Sequence, residues 1–319
     1  MRDKKQRGKK TELRRIIRPT TIIDSPRLAK ALDANVFLAS EAFQWTGSFK
    51  FRAAYSVASR VRQKSIIATS SGNFGQALAY ACSLVGKSCI VVMPTTSATV
   101  KIAAVREYGG QVDLIDVRQK SRQARVAELA KEHPEAYVAS PYDDPLVIEG
   151  NSTLGREIAA LKRKVDVVVA PIGGGGLSSG IASGIRQSRK KISLYGAEPL
   201  LGNDAARSLR AGKIIANETE PQTIADGTRT LSLGKHNWEI LRKSLKGIVE
   251  VPEEKIIEAM RLLFDLANLK VEPTGALSVA AVMTRPDLFR GRAICCVISG
   301  GNVDRALYRE VLAEQATQS

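Results

Sequence analysis

From Lys64 onward, short β-rich apolar runs alternate with longer stretches of helical period, and this alternation fixes the class of fold. SIIAT at Ser65–Thr69 reads as a strand, and 73–85 as a helix stopped by Gly86. Strands at 88–93, 112–116 and 136–139, with helices at 98–108 and 121–131, complete a β-α-β-α-β-α-β block. A second series runs through a helix at 153–162, a strand at 165–170 (VDVVVA), a helix at 177–186 and a strand at 192–197. Two helices, a strand at 247–251, helices at 253–269 and 275–282, a buried strand at 293–298 (AICCVI) and a helix at 302–312 end it. Strands joined through helices pair in parallel, so the expected fold is α/β with two parallel-sheet units. The smaller unit is expected at 62–150 and the larger at 19–61 with 151–319. A ligand cleft is expected between them, outside the carboxyl ends of the strands.

The formal net charge is +16, which raises the possibility of a nucleic-acid partner. Residues 1–18 carry nine Lys or Arg against Asp3 and Glu12, so a basic tail accounts for much of the excess. Aromatics are only 5% of the chain and none is interleaved with the tail charges, which argues against base stacking and for a solvated, flexible tail. The remaining charge suits anionic small ligands, a phosphorylated cofactor among them. The four cysteines form no C-x-x-C. Cys295 and Cys296 are neighbours on one strand, so their side chains face opposite ways and neither a bridge nor a zinc site is expected. No apolar run is long enough to span a membrane, and the basic start has no apolar core behind it, so the expected location is the cytoplasm. The chain ends soon after Ser299-Gly300-Gly301-Asn302, so no appended regulatory domain is expected.

Four segments carry chemistry. Thr46-Gly47-Ser48-Phe49-Lys50-Phe51-Arg52 sets a lysine among small and aromatic residues, where desolvation would make its amine nucleophilic; a surface lysine after a turn gives the same string. Ser70-Ser71-Gly72-Asn73-Phe74-Gly75-Gln76 lies between a strand and a helix, a place for a carboxylate on free amides or for an ordinary helix cap. Gly173-Gly174-Gly175-Gly176-Leu177 again joins strand to helix, and four glycines let a backbone close around a phosphate. It matches neither G-x-G-x-x-G nor a P-loop, which points to a phosphate ligand smaller than a dinucleotide or nucleoside triphosphate. Ser299 ends the last buried strand at the rim of the sheet, where its hydroxyl could meet a ring atom or simply cap a turn.

Together these segments resemble the fold-type II, tryptophan-synthase-β-like pyridoxal-phosphate enzymes, and most of all the serine/threonine dehydratases and serine racemases. DDPxVIxG at 143–150, GAEP at 196–199, TIADG at 223–227 and VEPTGA at 271–276 match as well, in order, from about Arg18 to Leu312. The resemblance implies that Lys50 bonds pyridoxal 5'-phosphate, Phe49 packs on its ring, and Asn73 binds the ring's 3-hydroxyl oxygen. It further implies that Gly173, Gly174, Gly175, Gly176 and Leu177 hold the phosphate and that Ser299 faces the ring nitrogen. Ser70, Ser71, Gly72, Asn73 and Gln76 are then expected to bind the substrate. Lys50 and Ser71 become the catalytic pair, Lys50 taking the Cα proton and Ser71 able to return one from the other face. A neutral hydroxyl at the ring nitrogen makes a weaker electron sink than an acid would, which favours β-elimination over transamination.

The implied activity is loss of the β-hydroxyl from a small amino acid such as threonine or serine, giving a 2-keto acid and ammonia. β-Replacement and racemisation are the alternatives within the family, and a non-catalytic polyanion-binding protein is the alternative outside it. Ser-Phe-Lys-Phe-Arg and Ser-Ser-Gly-Asn, rather than Ser-Val-Lys-Asp-Arg and Thr-Ser-Gly-Asn, weigh toward elimination. The resemblance also implies a Mg2+ or Ca2+ site on Glu198, the Gly202 carbonyl and Asp204, all oxygen ligands, and a homodimer. The chain departs from the family pattern at Ala39, Ala53, Phe74 and Asn151-Ser152, and Phe74 and Thr228-Arg229-Thr230 bear most on substrate fit.

Overall fold

The computed structural model describes residues 16–70, 72–97 and 99–313. The chain runs through β1 (Thr21–Ile23), α1 (Pro26–Ala31) and β2 (Val36–Ser40) before entering α2 (Lys50–Arg60). Strict alternation follows: β3 (Ser65–Thr69), α3 (Asn73–Leu84), β4 (Ser88–Pro94), α4 (Thr99–Glu107), β5 (Gln111–Ile115), α5 (Arg122–Glu132) and β6 (Tyr137–Ala139). After α6 (Pro145–Ala160) come β7 (Val167–Pro171), α7 (Gly176–Ser188), β8 (Ser193–Pro199), α8 (Asp204–Ala211), α9 (Lys235–Ser244) and β9 (Leu245–Val251). Then α10 (Glu253–Ala267), α11 (Pro273–Thr284), β10 (Ile294–Ile298) and α12 (Arg305–Ala313) complete the described chain.

Among the described residues ten strands form two sheets. One has the order β5-β4-β3-β6 and is parallel throughout; the other has the order β1-β2-β10-β7-β8-β9, with only β1 antiparallel to its neighbour. The α/β class expected from the alternation is therefore the fold observed. Both sheets are covered on both faces, as parallel sheets require. On the larger sheet, Val36, Leu38, Val167, Val169 and Cys296 pack with Met260, Leu277 and Val279 on one side. Phe37, Val168, Ala170 and Cys295 pack with Leu154, Ile158 and Ile181 on the other. Cys295 and Cys296 thus lie in different cores, as strand geometry demands.

Two departures from the sequence reading shape the site. The helix expected at 153–162 starts eight residues earlier, at Pro145, capped by the Asp144 side chain, which accepts from the Leu146 amide at 2.7 Å. Gly150-Asn151-Ser152 looks like a break, but small residues are needed there because α6 and α7 pack closely. A Cβ on Gly155 would overlap the Ile181 carbonyl, and one on Gly180 would overlap the Asn151 side chain. The second departure is α2, which begins at Lys50 itself. Its Phe51, Ala54, Tyr55, Val57 and Ala58 enter the core of the four-stranded sheet beside Ile66, Phe74 and Leu78. Burying each of the larger of these contributes about 1.5–3 kcal/mol, enough to hold a helix that starts with a desolvated lysine.

Residues 1–15 of the expected basic tail lie outside the described residues. Residues 16–18 are packed: Ile17 is buried, Trp45 Nε1 donates to the Ile16 carbonyl at 2.9 Å, and the Arg18 guanidinium sits 3.6 Å over the Trp45 ring. Among the described residues no helix is long and apolar enough to cross a membrane.

Candidate active site

Lys50 is aimed by the turn that precedes it. Thr46 (φ 59°) and Gly47 (φ 71°) are left-handed in succession, and a Cβ on Gly47 would collide with the Asn302 amide. Ser48 then bridges Gly300, and the Phe49 amide donates to the Ser299 carbonyl at 3.0 Å. This pins the first residue of α2 to the end of β10. Lys50 Nζ donates to the Pro141 carbonyl at 2.9 Å and lies 5.1 Å from the Phe49 ring centre and 5.8 Å from that of Phe74. Burial lowers its pKa to about 8, with the charge of Glu272 pulling the other way. An amine that sheds its proton this close to neutrality can act as nucleophile and base.

The glycine run joins β7 to α7. Gly175 has φ 93°, and side chains on Gly174 or Gly176 would run into Tyr142. The Gly174 carbonyl accepts from Asn237 Nδ2 at 2.7 Å and from the Gly234 amide at 3.1 Å. In a planar trans peptide this turns the Gly175 N–H the opposite way. Bare backbone at the start of a 13-residue helix with no acid in its first turn suits an anion such as phosphate.

The cleft is a cavity of about 950 Å³ whose wall includes Phe49, Lys50, Ser70, Gly72, Asn73, the four glycines 173–176, Leu177 and Ser299. The structure therefore brings part of each of the four sequence segments onto one cavity, the glycine run with Leu177 entirely. Ser299 Oγ is buried and has no hydrogen-bond partner among the described residues, so a polar atom of a ligand is what it lacks. Lysine, glycine cradle and orphaned hydroxyl together fit pyridoxal phosphate.

The second segment stands only partly on the cavity wall. Ser70 Oγ accepts from the Gly72 amide at 3.1 Å and the Gly75 amide at 2.9 Å, so it caps the turn and uses amides a carboxylate could have taken. Ser71 lies outside the described residues. Gln76 stands behind Asn73, its Nε2 at 3.4 Å from Asn73 Oδ1, and is absent from the cavity wall. Asn73 itself donates to both carboxylate oxygens of Glu272, at 3.0 and 2.8 Å, and accepts from Asn302 Nδ2 at 2.8 Å.

Glu272 carried no role in the sequence, although it sits inside VEPTGA. It is 2% exposed, and burial, with Asp226 adding, pushes its pKa up to about 7. Two further cations on the wall were also missed. Lys101 pairs with Asp226 at 2.5 Å and Arg122 with Glu220 at 3.0 Å, both joining the four-stranded side to the 219–232 loop. Arg229 spends its guanidinium on the Thr223 carbonyl of its own loop, at 2.8 and 2.6 Å.

The expected cation ligands lie off the cleft. Glu198 accepts from the Ala205 and Ala206 amides at 3.0 and 2.9 Å, and Asp204 Oδ1 accepts from Asn217 Nδ2 at 3.0 Å. Asp204 Oδ2 is buried without a hydrogen-bond partner among the described residues, and burial raises the pKa of both acids, that of Asp204 to about 7. Buried acids with an orphaned oxygen fit a hard cation, although no group of three or more His, Cys, Asp or Glu placed for a metal occurs among the described residues.

The profile of the family described as pyridoxal-phosphate dependent enzyme matches residues 13–300. The chain is 37% identical over 297 residues to L-threo-3-hydroxyaspartate ammonia-lyase from Pseudomonas sp, covering 92% of each. It is 34% identical to the serine racemase of Schizosaccharomyces pombe, covering 95% of this chain and 94% of that one. The T.th. threonine deaminase structure superposes with a TM-score of 0.84 at 40% identity, covering 90% of this chain and 92% of that one.

Proposed function

Since the chain belongs to the pyridoxal-phosphate-dependent enzyme family, we propose that it eliminates the β-hydroxyl of a small β-hydroxy amino acid, releasing a 2-keto acid and ammonia. The observation that carries elimination is Ser299, a buried hydroxyl at the carboxyl end of β10 with no hydrogen-bond partner among the described residues. A neutral hydroxyl there would not hold a proton on the cofactor ring as a carboxylate would, which would favour loss of the β-hydroxyl.

The four glycines 173–176 and the start of α7 would hold the cofactor phosphate, Phe49 would pack on the ring, and Asn73 and Ser299 would bind its oxygen and nitrogen. When bound, pyridoxal phosphate supplies the sink for the electron pair left at Cα. Lys50, with a pKa near 8, takes the Cα proton. Phe49 and Phe74 keep water from the amine, and the Pro141 carbonyl orients it. The water lost with the β-hydroxyl is regained when the product hydrolyses, so the net change is amino acid to keto acid plus ammonia.

On substrate, 3-hydroxyaspartate stands first and serine and threonine follow. Two things support this order: the relatives named for hydroxyaspartate, and Lys101 and Arg122 on the cavity wall, which could exchange Asp226 and Glu220 for a second carboxylate. Racemisation is the second reading, favoured by the serine racemase relatives, with Ser71 proposed as the second proton carrier. Glu198, Gly202 and Asp204 would bind Mg2+ or Ca2+ as a structural cation. The test is keto-acid release from 3-hydroxyaspartate, serine and threonine by the purified enzyme with cofactor. Release from none of them, with consumption only when a nucleophile is added, would replace elimination by β-replacement.

A further inference from the structure

We propose that Glu272 is a positioning residue whose carboxylate, anchored by Asn73, is the counter-charge to the Lys50 ammonium; this rests on the reading of Lys50 as the proton-transferring lysine. The carboxylate is held by Asn73 and closed in by Gly300, and its backbone is tied to Gly300. Asn73 Nδ2 reaches both of its oxygens, at 2.8 and 3.0 Å. Its own amide donates to the Gly300 carbonyl at 3.2 Å, and a Cβ on Gly300 would come within 2.5 Å of Oε1, so only glycine leaves the carboxylate room. Gly300 in turn bridges Ser48, two residues before Lys50, and both Glu272 and Lys50 line the same cavity.

The charges around Glu272 are few. Lys50 comes from α2, Lys101 from α4 and Asp226 from the loop after α8, while α3 offers the neutral Asn73. Lys101 is already bound to Asp226 at 2.5 Å. The partner accepting from Lys50 Nζ is an uncharged carbonyl, that of Pro141. Among the described residues Glu272 is the acid on that wall whose charge acts on Lys50, and it acts to keep the amine protonated. Without it, desolvation alone would strip the proton from Lys50 at lower pH. With it, the ammonium that forms when Lys50 takes the Cα proton is stabilised.

A carboxylate can only accept, so Glu272 also fixes which way Asn73 faces: its NH2 toward Glu272, its oxygen toward Asn302 and Gln76.

The experiment uses the full chain freed of cofactor. Lys50 is acylated in competition with a free amine across a pH series, and its labelling is read by mass spectrometry for wild type, Glu272→Gln and Glu272→Asp. The expected result is a midpoint about one pH unit lower in Glu272→Gln, with Glu272→Asp returning toward wild type. An unchanged or raised midpoint in Glu272→Gln overturns the inference. Should Glu272→Gln not fold, the reciprocal measurement decides: carboxyl NMR of Glu272 in Lys50→Met must show its pKa raised, and an unmoved value overturns the inference equally. Because no cofactor is present, the outcome is separate from whether Lys50 carries one.

Discussion

The Phe49 amide donates to the Ser299 carbonyl at 3.0 Å, so the residue before Lys50 is stitched to the serine that follows the last strand. One hydrogen bond thus fixes the spacing between Lys50, which starts α2, and Ser299, which ends the central part of the larger sheet. The two lie about 250 positions apart in sequence and are brought together because β2 and β10 pair in parallel, Ser40 beside Ile298.

Ser299→Ala should separate a cofactor role from a structural one. Its hydroxyl has no hydrogen-bond partner among the described residues, so the cofactor-free variant should unfold within about 1 kcal/mol of wild type. With cofactor, keto-acid release should fall clearly. A large loss of apo stability in denaturant titration would mean that the hydroxyl serves the fold.

Arg52 should be the costliest charge to remove. It is fully buried and bonds Glu41 at 2.6 Å, Glu157 at 2.8 Å, Thr20 at 2.8 Å and Thr153 at 2.8 Å. Arg52→Met strands a buried Glu41 and should cost about 3–5 kcal/mol in urea unfolding. Pairing it with Glu41→Leu should recover part of that loss, because the stranded charge goes too.

A cation should stabilise the protein through Asp204. Added Ca2+ or Mg2+ is expected to raise the thermal midpoint of wild type, and chelator to reverse it. Asp204→Asn should abolish the response while leaving cofactor binding intact. Equal stabilisation of the variant would remove Glu198, Gly202 and Asp204 as ligands.

The cofactor-free protein should show a shallow stability minimum near neutrality from Glu272 and Lys50. Burial raises the Glu272 pKa from 4.5 to about 7, so the native state holds the extra proton and stability falls as pH rises through that window. Burial lowers the Lys50 pKa from 10.5 to about 8, so the unfolded state holds the extra proton above that and stability rises again. Glu272→Gln should flatten the acid-side fall, measured as denaturant midpoint against pH. A variant with the wild-type slope would show that another group is responsible.

The parallel-sheet architecture was legible because strand and helix periods alternate cleanly from Lys64, and the glycine loop and Ser299 stand at strand ends where that architecture puts ligands. The start of α6 was not, because Gly150-Asn151-Ser152 reads as a breaker until α7 is packed against it. Glu272 was not, because a single acid in a sequence gives no sign that it will be buried opposite Asn73, nearly 200 positions away. Gln76 was assigned to the substrate by its motif, yet helix geometry turns it behind Asn73. Residues spaced along one element could be read; partners across the cleft needed the fold.

The most direct test of the central claim is to reduce the purified holoenzyme with borohydride, digest it, and map the cofactor-bearing peptide by mass spectrometry. The account predicts one modified site, Lys50, with no adduct and no keto-acid release in Lys50→Ala. Cofactor fixed to a different lysine, or a fully active Lys50→Ala, would contradict it.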